Sequence, residues 1–111
     1  MTPEDFDVTE VLGAPLDGEG EHLCLYLEKR GDSTEFVADS LARLIGVPAW
    51  QVGFCGLKDR HALTRQWFSL TLAKARERDF LAQVGARWRV LEVSLHRQKL
   101  RRGQHVGNRF K

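Results

Sequence analysis

Asp59 is the sole acid between residues 40 and 76, and Lys58, Arg60, His61 and Arg65 flank it. Cations around a carboxylate favour its charged form, so such a group stays ionised even when partly desolvated. A carboxylate held in this way suits a nucleophile or a base in a site that receives an anionic substrate. The same residues also make an ordinary loop acid paired to its neighbours at the surface. Local chemistry leaves both readings open. Upstream, Gly53 and Gly56 let the chain turn sharply and admit a close backbone approach. The run Gly53-x-x-Gly-x-Lys-Asp is not a nucleotide phosphate loop. In a Walker A loop the lysine follows the second glycine directly and a hydroxyl residue follows the lysine, whereas here Leu57 intervenes and Asp59 follows Lys58.

A second constellation lies at the C-terminal end. Asn108 and Phe110 are two residues apart and project to one side of an extended segment. An aromatic ring flanked by Arg109 and Lys111 offers a platform for an unstacked base, and it equally suits a core position at the start of a strand. The stretch from His96 to Lys111 contains Arg97, Lys99, Arg101, Arg102, Arg109 and Lys111 and no acid. The formal net charge of +2 conceals this polarity. Residues 1–40 carry eleven acids and two bases, and residues 41–111 carry fifteen bases and four acids. Such separation suits a polyanionic partner for the C-terminal portion, or a solvated basic face.

Other groups with chemical potential are less specific. Cys24 and Cys55 are far apart, outside any C-x-x-C pair, and read as buried thiols acting as small hydrophobes. His22, Cys24, Cys55, His61, His96 and His105 are too scattered for a four-ligand structural zinc site, so no metal is expected. Trp50, Trp67 and Trp88 each abut a predicted strand and read as packing residues.

The elements that must position these residues follow from periodicity. Phe6 and Val8 open a first strand, and residues 13–20 form a Gly-, Pro- and Asp-rich loop. From His22 to Glu28, Leu23, Leu25 and Leu27 share one face and Cys24, Tyr26 and Glu28 the other, which predicts a half-buried strand. Residues 31–34 supply a turn and an N-cap for a helix over 34–45, through Phe36, Val37, Leu41, Leu44 and Ile45. Gly46 and Pro48 end it. A brief strand is expected over 52–55, and another over 66–72 with Phe68, Leu70 and Leu72 inward. A helix over 75–84 follows, then a strand over 88–95 with Leu91, Val93 and Leu95 on one face, and a strand beginning at Val106. The order β-α-β-β-α-β-β predicts an α+β fold, a largely antiparallel mixed sheet with packed helices.

At 111 residues the chain fits one domain, and its composition is that of a folded globular protein. No apolar run approaches the roughly 18 residues of a membrane span, and the acidic N-terminus lacks a signal peptide's basic start. A cytoplasmic location is expected. Because the last strand begins at the last residues, the chain reads as part of a larger domain.

Several segments together resemble one family. Pro3-Glu-Asp-Phe-Asp-Val-Thr-Glu10 resembles the PEDFxVxE opening of the TruD-type tRNA pseudouridine synthases, and Asp17-Gly-Glu-Gly-Glu-His-Leu23 and Phe36-Val-Ala-Asp39 resemble segments that follow it. Gly56-Leu-Lys-Asp-Arg-His-Ala-Leu-Thr-Arg-Gln-Trp67 is similar to the family's signature block, and His96-Arg-Gln-Lys-Leu-Arg-Arg-Gly103 and Gly107-Asn-Arg-Phe110 to its HxxKLRxG and GNxF motifs. The resemblance implies that residues 1–111 are the N-terminal portion of a pseudouridine synthase catalytic domain, with the rest of that domain and an inserted domain absent. It implies isomerisation of a tRNA uridine, at position 13, without a cofactor. Asp59 becomes the catalytic aspartate, Phe110 stacks on the flipped-out base and Asn108 fixes the site by hydrogen bonding. Lys58 and Gln66 contact substrate, and Arg97, Lys99, Arg101 and Arg102 meet tRNA phosphates. No membrane and no obligate protein partner is implied. Two departures from the family pattern stand out: the segment before PEDF with its functional lysine is missing, and the catalytic domain past GNxF is absent with its inserted domain, so the chain alone is expected to be inactive or nearly so. A non-catalytic RNA-binding α+β module is the alternative.

Overall fold

The computed structural model describes residues 7–56, 63–76, 79–101 and 106–110, with backbone alone at residue 7 and in the last run. Five strands form one sheet: β1 (Asp7–Leu12), β2 (His22–Lys29), β3 (Leu63–Thr71), β4 (Arg89–His96) and β5 (Val106–Phe110), in the order β4-β2-β3-β1-β5. Helix α1 (Thr34–Ile45) joins β2 to the region before β3, and α2 (Leu72–Arg76) and α3 (Phe80–Gly85) lie between β3 and β4. Among the described residues β1 and β3 pair in parallel and the other neighbours are antiparallel. The expected α+β class with a largely antiparallel mixed sheet is what the chain adopts.

Helix α1 has the predicted bounds because both ends carry their signals. The Ser33 hydroxyl accepts from the Phe36 N–H at 3.0 Å, and Gly46 ends the helix in the left-handed conformation, φ 73°. The face that packs on the sheet is Val37, Ala38, Leu41, Ala42 and Ile45; Phe36, expected in that stripe, is 54% exposed. The brief strand expected over 52–55 is instead a one-turn 3-10 helix (Ala49–Gln51) followed by a single bridge between Gly53 and Ser69. The helix expected over 75–84 is two short helices, in keeping with its thin apolar stripe.

The sheet is covered on both faces, which strand alternation alone does not reveal. Leu23, Leu25 and Leu27 pack with Phe68, Leu70, α1 and α3 in the main core. On the other face Cys24, Cys55, Trp67 and Leu100 form a second cluster, with Leu12, Leu16 and Tyr26 against it. Cys24 is fully buried, as expected of a thiol acting as a small hydrophobe, so this face of β2 is covered where alternation alone predicts a half-buried strand. Tyr26 and Trp67, ladder partners on this face, stack at 4.8 Å between centroids. At the β4 edge the register shifts between Tyr26 and Leu27, which leaves Leu91 as an extra residue and brings Val90 opposite Leu27. Leu91 and Val93, expected to face inward, are exposed, while Val90 and Leu95 reach the main core.

Candidate functional site

Asp59, Lys58 and Arg102 lie outside the described residues, and of Asn108, Phe110 and the rest of β5 only the backbone is described. Strand β3 begins at Leu63, four residues after Asp59, with Asp7 and Val8 of β1 opposite Leu63 and Thr64. Strand β5 lies on the other side of β1, with Phe110 opposite Val8 and Asn108 opposite Glu10. Two interstrand spacings of about 4.8 Å therefore separate the Phe110 backbone from that of Thr64. The signature block, the first strand and the GNxF segment converge at one end of the sheet.

Three described side chains brace that end. Arg65 spans β3 to both neighbours: its Nε lies 3.1 Å from Glu28 Oε2, and its Nη1 donates to Thr9 Oγ1 at 3.2 Å. Glu10 is buried, and its Oε1 accepts from the Trp67 backbone N–H at 3.0 Å, continuing the β1–β3 link past the last parallel pair, Thr9 with Arg65. Gln66 is fully buried. Its Nε2 donates to the Gly56 carbonyl at 2.7 Å, and its Oε1 accepts from the Thr34 hydroxyl at 3.2 Å. That places Gln66 in the interior rather than at a substrate-facing surface. It ties Gly56, three residues before Asp59 in sequence, to β3 and the start of α1.

The basic candidates divide. Arg97 is exposed, yet its guanidinium pairs with Glu19 and approaches Asp17, and its N–H donates to Asp17 Oδ2 at 3.2 Å. The acidic β1–β2 loop thus folds over the start of the basic segment, so the two oppositely charged regions of the sequence meet here. Gly20, φ 128°, permits this approach, since a Cβ there would lie 2.4 Å from the His96 carbonyl oxygen. Lys99 donates to the Trp50 carbonyl and holds its Nζ 5.7 Å from the Trp50 ring centroid. Arg101 is exposed. Gly53 fixes this segment: a Cβ on it would lie 2.2 Å from the Leu100 carbonyl oxygen, while the Leu100 N–H donates to Ser69 Oγ at 3.0 Å.

Sequence reasoning missed two residues. Trp50, read as a packing residue, is 72% exposed, whereas Trp67 and Trp88 are buried as expected. Its neighbours Ala49 and Gln51 continue no apolar alternation, which was the available signal. Glu10 gave no chemical signal, because an acid in an acidic segment reads as surface. Burial lowers the pKa of His22, an effect partly offset by Glu21 and reinforced by His96 and Lys99. Burial, with the Cys55 thiol beside it, pushes Cys24 up to about 12, so the thiol stays neutral and unreactive. Among the described residues, no cluster of three or more His, Cys, Asp or Glu side chains is arranged to hold a metal ion. No helix among them is long and apolar enough to cross a membrane.

This arrangement of motifs has counterparts in known proteins. The family model described as tRNA pseudouridine synthase D (TruD) matches residues 1–111, and the chain belongs to that family. Among its relatives, the tRNA pseudouridine synthase D of Marinobacter nauticus is 50% identical over 98% of this chain and 35% of its own length. That of Azotobacter vinelandii is 52% identical over 97% of this chain and 31% of its own length. A Methanosarcina mazei crystal structure assigned to tRNA pseudouridine synthase D superposes with a TM-score of 0.72 at 27% identity, over 97% of this chain and 24% of that one. The chain spans about a third of the length of the curated relatives it matches.

Proposed function

We propose that residues 1–111 form the N-terminal part of the catalytic domain of a tRNA pseudouridine synthase, with Asp59 as its catalytic aspartate. The observation that carries this reading is the strand order β3-β1-β5. It brings the end of the signature block, the PEDFxVxE strand and the GNxF strand together at one end of the sheet. The paired residues Val8 and Phe110 are 102 apart in sequence (110 − 8), and the convergence of these segments supports a common site.

In this reading the substrate is a tRNA uridine at position 13, flipped from its stack, and no cofactor takes part. Asp59 either takes C1′ as the bond to N1 breaks or abstracts a proton that triggers the same cleavage. The freed uracil turns and bonds to C1′ through C5, which releases the Asp59 carboxylate from C1′ in the first route and returns the abstracted proton to the sugar in the second; the C5 proton is lost and N1 gains one, so the reaction is an isomerisation. Phe110 stacks on the base and Asn108 anchors it. Lys58, Lys99, Arg101 and Arg102 supply cations for the backbone. Arg97 contributes once its contacts with Asp17 and Glu19 give way to phosphate. Gln66 acts at one remove, by holding the Gly56 end of the loop. A cytoplasmic location accompanies this role.

The test is a chimera in which residues 1–111 replace the matching segment of the Marinobacter nauticus relative, incubated with an unmodified tRNA transcript. Pseudouridine formed at one mapped uridine supports the reading, with the isolated chain giving none. A folded chimera that binds tRNA and forms no pseudouridine supports the non-catalytic RNA-binding module instead.

A further inference from the structure

Trp50 sits at the mouth of a cavity of about 370 Å³ between the first turns of α1 and residues 99–101. The floor is apolar, made by Ala38, Val52 and Phe54, and the rim carries charge of both signs. On one side stand Lys99 and Arg101; on the other, Glu35 and Asp39, one helical turn apart on α1. A volume of this order is in the range that admits a small flat ligand, roughly 300–1,000 Å³. The cavity adjoins β3 through Gly53, far along the strand from Leu63. Its bridge to the sheet is at Ser69, six residues along β3 from Leu63, or about 20 Å at strand rise.

We propose that this cavity is a second RNA subsite, which stacks an unpaired base on Trp50 and holds the adjoining phosphate at Lys99 and Arg101. The inference rests on the tRNA reading above and extends it to a nucleotide other than the target uridine. Trp50 is 72% exposed with the Lys99 ammonium over its ring, so most of the indole is open to solvent, and base stacking on such rings tolerates any sequence. The basic run from His96 to Lys111 passes through Lys99 and continues beyond it without an acid, so the subsite is continuous with the most cationic stretch of the chain. That continuity selects a nucleic acid over a protein segment as occupant.

The carboxylates narrow the base. Glu35 and Asp39 accept hydrogen bonds and donate none, so they favour a base edge that presents an exocyclic amino group: guanine, adenine or cytosine. Uracil offers a single N–H between two carbonyl oxygens, which would face like partial charge. The subsite therefore discriminates against the base that the catalytic site takes. Its walls are fixed in advance. Gly53 admits the Leu100 backbone where a side chain would stand, and Ser69 ties down the Leu100 N–H.

The test uses the chain itself. Trp67 and Trp88 are buried, so a ligand at this cavity quenches chiefly the emission of Trp50. The probes are an unmodified tRNA transcript and short homopolymers of adenylate, cytidylate and uridylate. Trp50→Ala removes an exposed side chain and is expected to weaken tRNA binding about 5- to 150-fold, with Trp50→Phe retaining most of it. The adenylate and cytidylate homopolymers are expected to bind more tightly than the uridylate one, a preference that shrinks in a Glu35→Gln, Asp39→Asn double variant. Salt-sensitive tRNA binding by the wild type that Trp50→Ala leaves unchanged overturns this inference alone. Absence of tRNA binding by the wild type overturns it together with the RNA reading, and a preference for uridylate overturns the assignment of base.

Discussion

Replacing Gln66 by leucine keeps a side chain of similar reach and removes only its amide. In the wild type that amide joins three elements: β3, which carries it; Gly56 at the entrance to the Asp59 loop, 2.7 Å from Nε2; and Thr34 in the first turn of α1, 3.2 Å from Oε1. A buried polar group stripped of its partner costs about 1–3 kcal/mol. The Gly56 carbonyl is half-buried and can recover water, so it falls at the low end, about 1 kcal/mol. Thr34 is fully buried but has further contacts, so it adds about 1–2 kcal/mol. A total of about 2–3 kcal/mol, at a urea m-value of about 1–2 kcal/mol/M for a chain of this size, lowers the midpoint by about 1–3 M. Urea unfolding followed by far-ultraviolet circular dichroism reads the stability. The rate of tryptic cleavage after Lys58 and Arg60 reads the loop and is expected to rise. Thr34→Val should cost less in the Gln66→Leu background than alone, because the two share one hydrogen bond. A Gln66→Leu chain within about 0.5 kcal/mol of wild type, with unchanged cleavage, would refute the clamp.

Further expectations concern the basic segment and the titrating groups. Gly53→Ala places a Cβ against two fixed atoms, Leu100 O at 2.2 Å and Ser69 Oγ at 2.3 Å, and should cost about 1–3 kcal/mol or more by urea unfolding. Lys99→Gln should reduce the salt slope of tRNA binding by about 0.7–0.9, as the loss of one phosphate contact requires. His22 has a folded pKa below its ordinary 6.5, so its contribution to stability is full above about 6.5 and declines as pH falls toward the folded value. An NMR titration placing its midpoint above 6.5 would contradict that cause. Cys24, raised from 9.0 to about 12, contributes stability that is full below 9.0 and lost as pH rises through that window. Iodoacetamide at mildly alkaline pH should therefore spare it in the folded chain and label it in urea.

How far the fold was legible depended on whether the signal was local. Ser33 and Gly46 gave α1 its bounds because capping is written in adjacent residues. Partners across the sheet are not so written. Nothing in the alternation of β1 or β3 says that they pair in parallel, and a strand whose outward face is Cys24 and Tyr26 reads as half-solvated until loops cover it. The bulge at Leu91 shifts the inward face of β4 by one residue, which no period-2 pattern can anticipate. Trp50 was misread for the opposite reason: a large apolar residue near a predicted strand defaults to the core, although its neighbours Ala49 and Gln51 continue no apolar alternation. For the candidate site, Asp59 was visible as an isolated acid among cations, while the proposal that it works with Asn108 and Phe110 rests on motifs in register. The interior role of Gln66 was not legible, since a glutamine in a signature block reads as a contact residue.

The account turns on Asp59. The most direct measurement is single-turnover pseudouridine formation by the chimera and by its Asp59→Asn variant, with tRNA affinity measured in parallel. An isosteric loss of the carboxylate should reduce turnover to background and leave affinity within about threefold, since a single acid contributes little to binding a polyanion. Turnover by Asp59→Asn comparable to that of the parent chimera would contradict the assignment of Asp59 as the catalytic residue.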